Sequence, residues 1–355
     1  MIITNKSTLA AMVFILFIFS STVIADTTSP KSELVFLTWP EYIDPEIVSE
    51  FESKNNVKIR FVYYQSDDYR DQLVLDADGR GYDLAIVDGL KVNTYKKYDW
   101  LASINSQNVP HIKHVDEKWR RLFKDTDQYG SPYLWGTVGI AYRSDLVSED
   151  LTRWMQLYRP HEKLRGKVVM IDSNREVVGL ALKALGYSIN SHNLAEIKEA
   201  EALVHEQASF VKGYSYINIT ETSSLVTGET YAAFAYNGDA LSIMEYEPNI
   251  KFVIPEEGSI IWADYLVVFK YAKNQAMAYK FLDFLQQPEI AARLALYSNF
   301  ASPNKTAQSL LPHEFLNNPA IYPDSAALAK SEADEELPIR IAKEYARIMV
   351  DVTEN

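Results

Sequence analysis

Five stretches of this 355-residue chain gather aromatic rings and carboxylates where apolar runs begin or end. Trp39 and Tyr42 flank Glu41, and Thr38 precedes them, in TWPEYI. Asp88-Gly89 follows DLAIV, and Ser173-Asn174-Arg175-Glu176 follows the run KVVMI. Tyr236-Asn237-Gly238-Asp239 follows YAAFA, and Trp262-Ala263-Asp264 opens another apolar run. Indole and phenol faces pack on methylenes and attract cations through the ring quadrupole. Carboxylates make charge-assisted hydrogen bonds to ammonium groups. Together they suit an alkyl ammonium ligand. A single ring suits a core position equally well, so it is the recurrence that points to a site.

Catalytic patterns are absent by comparison. The six histidines include His111 and His114, three apart, but no ligand set of recognisable spacing surrounds them, and no metal site is expected. There is no G-x-S-x-G, no H-E-x-x-H and no glycine-rich phosphate loop. With no cysteine, thiolate zinc sites, disulfides and thiol nucleophiles are excluded. Paired carboxylates are common in so acidic a chain, so a glycosidase-like hydrolase stays open as a remote alternative, marked by turnover rather than saturable binding. No cofactor is expected.

The elements that must carry these residues alternate. Leu34–Thr38 reads as a strand, and Asp44-Pro45-Glu46 supplies an N-cap, a first-turn proline and a first-turn acid. Val57–Tyr64 is β-branched and aromatic. Ser66-Asp67-Asp68 opens a helix containing Tyr69, Leu73 and Leu75, and Asp83–Val87 is the next strand. Strand–helix–strand alternation predicts crossovers and a parallel sheet. A second α/β region follows. Its strands are Gly139–Arg143, Lys167–Ile171, Tyr231–Tyr236, Phe252–Ile254 and Ala263–Phe269; its helices are Glu176–Leu185, Leu194–Gln207, Asn274–Gln286 and Glu289–Ser298. In open α/β sheets, ligands bind beyond the carboxyl ends of strands, where most of the ring-and-acid stretches fall.

Length predicts about two domains. The chain is 47% hydrophobic and 23% charged, an ordinary globular composition with material for a core. A net charge of −13 argues against nucleic acid as a partner. Lys6, the apolar run Leu9–Phe19 and small residues up to Ala25 read as a secretory signal peptide over residues 1–25, too short to span a bilayer. Without a cysteine at the cleavage site there is no lipid anchor, so the expected compartment is the periplasm, with the mature chain soluble.

Several motifs taken together resemble the bacterial periplasmic polyamine-binding proteins, the spermidine/putrescine (PotD/PotF) type of solute-binding protein. They are TWPEYIDPEIVSEF, YDLAIV, YLWGTVGIAYRSD, REV with ALKALGYS, AFAYNGDA, PEEGSIIWADYLVV, SPN and IYPD, spread from about Glu33 to the C-terminus. The resemblance implies an α/β, two-lobe periplasmic binding protein fold of type II with the ligand cleft between the lobes. It divides the chain into residues 26–137 and 264–305 for one lobe, and 138–263 and 306–355 for the other. The crossings fall near Thr137, Asp264 and Lys305. Carried over by position, Thr38, Trp39, Glu41 and Tyr42 form the first wall, and Glu176 holds an amine. Trp262 and Asp264 grip the ligand, while Tyr236 and Phe300 supply rings where the family has Trp and Tyr. The family's Ser-Thr-Tyr after the third strand is here Asp88-Gly89-Leu90, which adds a carboxylate. Its acid three residues before Glu176 is here Ser173, and its closing Gln aligns with Asp334. The resemblance implies no catalysis but binding of a linear polyamine of the spermidine or norspermidine class. The membrane partner is an inner-membrane ABC permease or, alternatively, a sensory receptor.

Overall fold

The computed structural model describes residues 32–353; the expected signal peptide lies outside them. Ten strands are present among the described residues: β1 Ser32–Thr38, β2 Val57–Tyr63, β3 Leu84–Asp88, β4 Gly130–Arg143, β5 Val168–Met170, β6 Val211–Tyr214, β7 Ala232–Tyr236, β8 Ile250–Val253, β9 Ile260–Val268 and β10 Glu332–Ala333. Their order is β2-β1-β3-β9-β4-β7-β5-β6, with β10 beside β9 and β8 beside β4.

The first half is parallel where βαβ units build it: β1 pairs in parallel with both β2 and β3. Its caps are the ones the residues dictate. The Asp44 side chain accepts from Glu46 N before Pro45–Asn55, and Ser66 accepts from Tyr69 N before Asp67–Asp76. The parallel pairing expected of the first three strands is present, and β9, a late strand, joins them antiparallel between β3 and β4. The second half repeats the mixture, with β5 parallel to β6 and β7, and β7 antiparallel to β4.

Alternation along the strands feeds two cores per half. Leu34, Phe36, Leu84, Ile86, Leu266 and Val268 face one side of the first half, and Leu37, Ala85, Val87, Tyr265 and Val267 face the other. Val138, Ile140, Val168, Ala232 and Phe234 do the same for the second half, opposite Ala141, Val169, Ala233 and Ala235. Two strands run through both halves. β4 pairs with β9 up to Thr137 and with β7 and β8 from Val138 onward; β9 carries Ile260 into the second core and Leu266 into the first.

The third crossing does not lie at Lys305. Ala307, Leu311, Phe315 and Ile321 fill the first half's core beside Trp135 and Tyr265. The chain passes over at β10, beyond which Ile341, Tyr345, Ile348 and Met349 of the helix Ile339–Thr353 enter the second core. Ala307, Leu311, Phe315 and Ile321 are buried in the first half, which keeps the segment after Lys305 there. No helix among the described residues is long and apolar enough to cross a membrane.

Candidate ligand-binding site

Four of the expected rings meet in one chain of contacts, with Trp262 on the crossing strand β9 and Tyr236 at the end of β7. Tyr42 meets Phe300 edge-on at 6.0 Å between ring centroids, Phe300 meets Trp262 at 4.8 Å, and Trp262 meets Tyr236 at 6.0 Å. Tyr236 in turn stacks on Tyr216 at 6.0 Å. The edge-to-face geometry is the one ring quadrupoles favour. Two glycines make the approach possible by leaving space. A Cβ on Gly238 would lie 2.4 Å from the Phe300 ring, and one on Gly136 would lie 2.6 Å from the Trp262 ring. Trp39 stands on Tyr64, 4.5 Å away. Thr38 is buried at the end of β1, its Oγ1 without a hydrogen-bond partner among the described residues.

Three carboxylates border this ring chain, and each is held by hydroxyls. The Tyr42 hydroxyl donates to Asp264 Oδ2 at 2.8 Å, and the Tyr133 hydroxyl in turn donates to the Tyr42 carbonyl at 2.8 Å. Tyr236 donates to Glu176 Oε1 at 3.1 Å, while the Ser173 hydroxyl donates to Oε2. Tyr216 donates to Asp239 Oδ2 at 2.6 Å. Among the described residues none of the three forms an ion pair with Lys or Arg.

Their electrostatics follow. Burial pushes the Asp264 carboxyl up to about 7; the Tyr42 bond opposes this, and Asp67 and Asp88 add to it. Burial, with the Asp334 charge, pushes Glu176 up to about 7, against the Ser173 bond. Burial raises Asp239 to about 6 against the Tyr216 bond. The Arg70 charge also opposes the rise at Asp264, but none of these three half-buried carboxylates has a Lys or Arg ion-pair partner among the described residues.

Two expected members stand apart. Glu41 is solvent-exposed, in the left-handed region at φ 56°, and turns away at the corner that follows β1. Asp88 is the register partner of Asp264 on the adjacent strand, yet both its oxygens are engaged. Oδ1 caps the helix Gly89–Lys97 through Leu90 N and Lys91 N at 3.0 and 3.1 Å, and Oδ2 accepts from Arg70 at 3.1 Å. Asp334 pairs similarly with Arg175 at 2.8 Å.

A family model described as bacterial extracellular solute-binding protein matches residues 46–323. The chain belongs to that family. Two relatives are similar over most of the chain. The spermidine/putrescine-binding periplasmic protein of Salmonella typhimurium is 28% identical over 307 residues, 86% of this chain and 87% of that protein. A norspermidine sensor of Vibrio cholerae is also 28% identical, over 323 residues, 90% of this chain and 89% of that one. Among solved structures, a spermidine/putrescine ABC transporter substrate-binding protein from Streptococcus pneumoniae superposes with a TM-score of 0.79 at 26% identity, covering 91% of this chain and 99% of that one. The two-lobe α/β fold of these solute-binding proteins is therefore the fold of this chain.

Sequence reasoning missed three participants. Arg70 is 1% exposed inside a helix whose Tyr69 and Leu75 face solvent; the signal was the cation amid Asp67, Asp68 and Asp71. Asp239 lies in a stretch already singled out, but only Tyr236 was assigned from it. Tyr216 had no sequence signal, since it arrives from the loop after β6 to share a pocket lining with Tyr236 and Asp239. Away from the cleft, Glu201, His205 and Asp351 bring ligand-capable atoms within 4.8 Å of one another, with Arg347 bonded to both carboxylates. His111 and His114 are each bonded elsewhere, to Asp283 and Thr306.

Proposed function

We propose that this protein binds a linear polyamine in the cleft between its lobes and reports or delivers it to a membrane partner. The observation that carries the reading is the set Asp264, Glu176 and Asp239, three acids beside a ring chain with hydroxyl donors and no cationic side-chain partner among the described residues. These acids are half-buried, and an acid taken from water without a counter-charge is costly; ammonium groups joined by methylenes supply the charge while the rings cover the methylenes. Three such acids favour a triamine, spermidine or norspermidine, over putrescine. Thr38, Trp39, Tyr42, Ser173, Tyr236, Trp262 and Phe300 complete the site.

On this reading one lobe comprises residues 32–136 and 263–330, the other 137–262 and 332–353, following the cores they fill. Closure of the lobes around the ligand is the signal the partner reads. The relatives' periplasmic location and the N-terminal apolar segment support export to the periplasm by signal peptide, without lipid. The role is binding with no bond made or broken.

Two partners fit. An inner-membrane ABC permease accords with the spermidine/putrescine relatives; a sensory receptor accords with the norspermidine sensor, which is as similar in identity as the Salmonella protein. Calorimetric titration of the mature chain with putrescine, spermidine and norspermidine is the test of the ligand. Saturable binding of at least one is expected, and no heat with any of them sinks the reading. Uptake of labelled ligand by a deletion strain separates the partners: lost uptake indicates the permease, intact uptake the receptor.

A further inference from the structure

The wall beside Asp264 already contains a cation. Arg70, on the helix Asp67–Asp76, is 1% exposed and reaches three carboxylates. Its Nη1 donates to Asp67 Oδ1 at 2.5 Å, and its Nη2 donates to Asp71 Oδ1 at 2.9 Å and to Asp88 Oδ2 at 3.1 Å. The guanidinium lies 5.5 Å from the centroid of the Tyr64 ring, the same ring that backs Trp39. Asp71 is further held by Lys91 at 2.5 Å and by the Tyr95 hydroxyl at 2.8 Å. Asp88 pairs in register with Asp264 across β3 and β9, so this cluster abuts the proposed ligand acids.

A guanidinium forks in a plane and does not lose its proton, which makes it a permanent charge in a fixed place. We infer that Arg70 is a specificity-determining residue: it acts as a resident cation that neutralises Asp88 from within the protein and so removes one ammonium position from the cleft. The inference rests on the polyamine reading above. It explains how the added carboxylate at Asp88 is compatible with a ligand of three ammoniums. The acid at Asp88 arrives with a counter-charge, which it shares with Asp67 and Asp71, and the ligand is left with Asp264, Glu176 and Asp239. Arg70 touches no ligand in this arrangement; it sets the number of charges the ligand must bring.

Affinities for spermidine and spermine, measured by calorimetry on the mature protein and its variants, test this. Arg70→Met leaves Asp88 without its cation, so the spermine-to-spermidine affinity ratio is expected to rise at least tenfold. Arg70→Lys keeps the charge and is expected to restore the wild-type ratio. The double variant Arg70→Met with Asp88→Asn removes the pair together and is likewise expected to return the ratio to that of the wild type; if Arg70→Met does not fold, Arg70→Gln, which also removes the charge, takes its place. A ratio unmoved in folded Arg70→Met, or a ratio in the double variant tenfold from the wild type, overturns the role of Arg70. A wild-type protein that takes no polyamine overturns this inference together with the proposed function, whereas a polyamine-binding wild type with an inert Arg70 overturns this inference alone.

Discussion

Two walls of one cleft are built from the same residue type and behave differently. At the end of β3, Asp88 is tied to Arg70 and to a helix N-terminus. Across the register pair, Asp264 on β9 has the Tyr42 hydroxyl, and beyond it Glu176 and Asp239 have hydroxyls of Tyr236, Ser173 and Tyr216. In the first wall the protein supplies two cations, Arg70 and Lys91, to three carboxylates, Asp67, Asp71 and Asp88. In the second, Asp264, Glu176 and Asp239 have no Lys or Arg ion-pair partner among the described residues, which on the proposed reading leaves room for a ligand cation. An acid at a strand end is therefore not a ligand site by position; its partner decides, since a permanent guanidinium removes the demand and a neutral hydroxyl only orients the acid.

The largest effect should come from breaking the first wall. Arg70→Ala removes the cation from a buried network, and the loss of one partner from such a pair costs about 3 kcal/mol or more. Chemical denaturation of the ligand-free protein should show this. A change near zero would mean that the network is solvent-screened and the contrast between the walls is false.

Breaking the second wall should cost binding while sparing stability. Asp264→Asn and Glu176→Gln should each weaken polyamine binding by about 1.5–3 kcal/mol, the range for a hydrogen bond to a charged group. Each should leave the ligand-free protein no less stable, since the variant removes a half-buried acid that has no ion-pair partner among the described residues. Unchanged affinity in both would take them out of the site.

The walls should also differ in pH response. Asp264 and Glu176 sit at about 7 and Asp239 at about 6, each above its ordinary value of 3.8 or 4.5. Between about pH 4 and 7 the folded ligand-free protein holds more protons than the unfolded chain. The contribution of these groups to stability is thus full below about pH 4 and lost as pH rises through 7. An ammonium ligand needs the ionised acids, so affinity should rise from pH 6 to pH 8 with proton release at neutral pH. Titration in buffers of different ionisation enthalpy measures those protons; none released would place the carboxylates outside the contact.

The smallest effect is the finest probe. Tyr42→Phe deletes the hydroxyl that holds Asp264 and helps keep it ionised. A loss of about 1 kcal/mol in affinity is expected, seen by the same titration. If the loss matches that of Asp264→Asn, then Tyr42 contacts ligand itself.

Much of the frame was legible in the residues. Asp44-Pro45 and Ser66 start the helices they announce, because caps act on neighbouring backbone N–H groups and need no tertiary partner. The rings Tyr42, Tyr236, Trp262 and Phe300 do converge. Other parts were not legible. β4 was read only as Gly139–Arg143, because Pro132, Gly136 and Gly139 break the apolar pattern of what is one strand from Gly130. Those glycines answer to neighbours far along the chain: a Cβ on Gly139 would meet the Val253 carbonyl at 2.4 Å. The helix Ile339–Thr353 went unread although Ile341, Tyr345, Ile348 and Met349 repeat at helical spacing.

By itself, then, the sequence determined the α/β alternation, the helix starts and the residues that could meet an ammonium, because propensity, capping and side-chain chemistry are local. Only the tertiary structure decided which acids remain without a counter-charge. Tyr42 reaches Asp264 across 222 residues, Arg70 reaches Asp88 across 18, and Tyr216 reaches Asp239 from a loop. Coulomb energy depends on separation in space and on burial, and neither can be read from order along the chain.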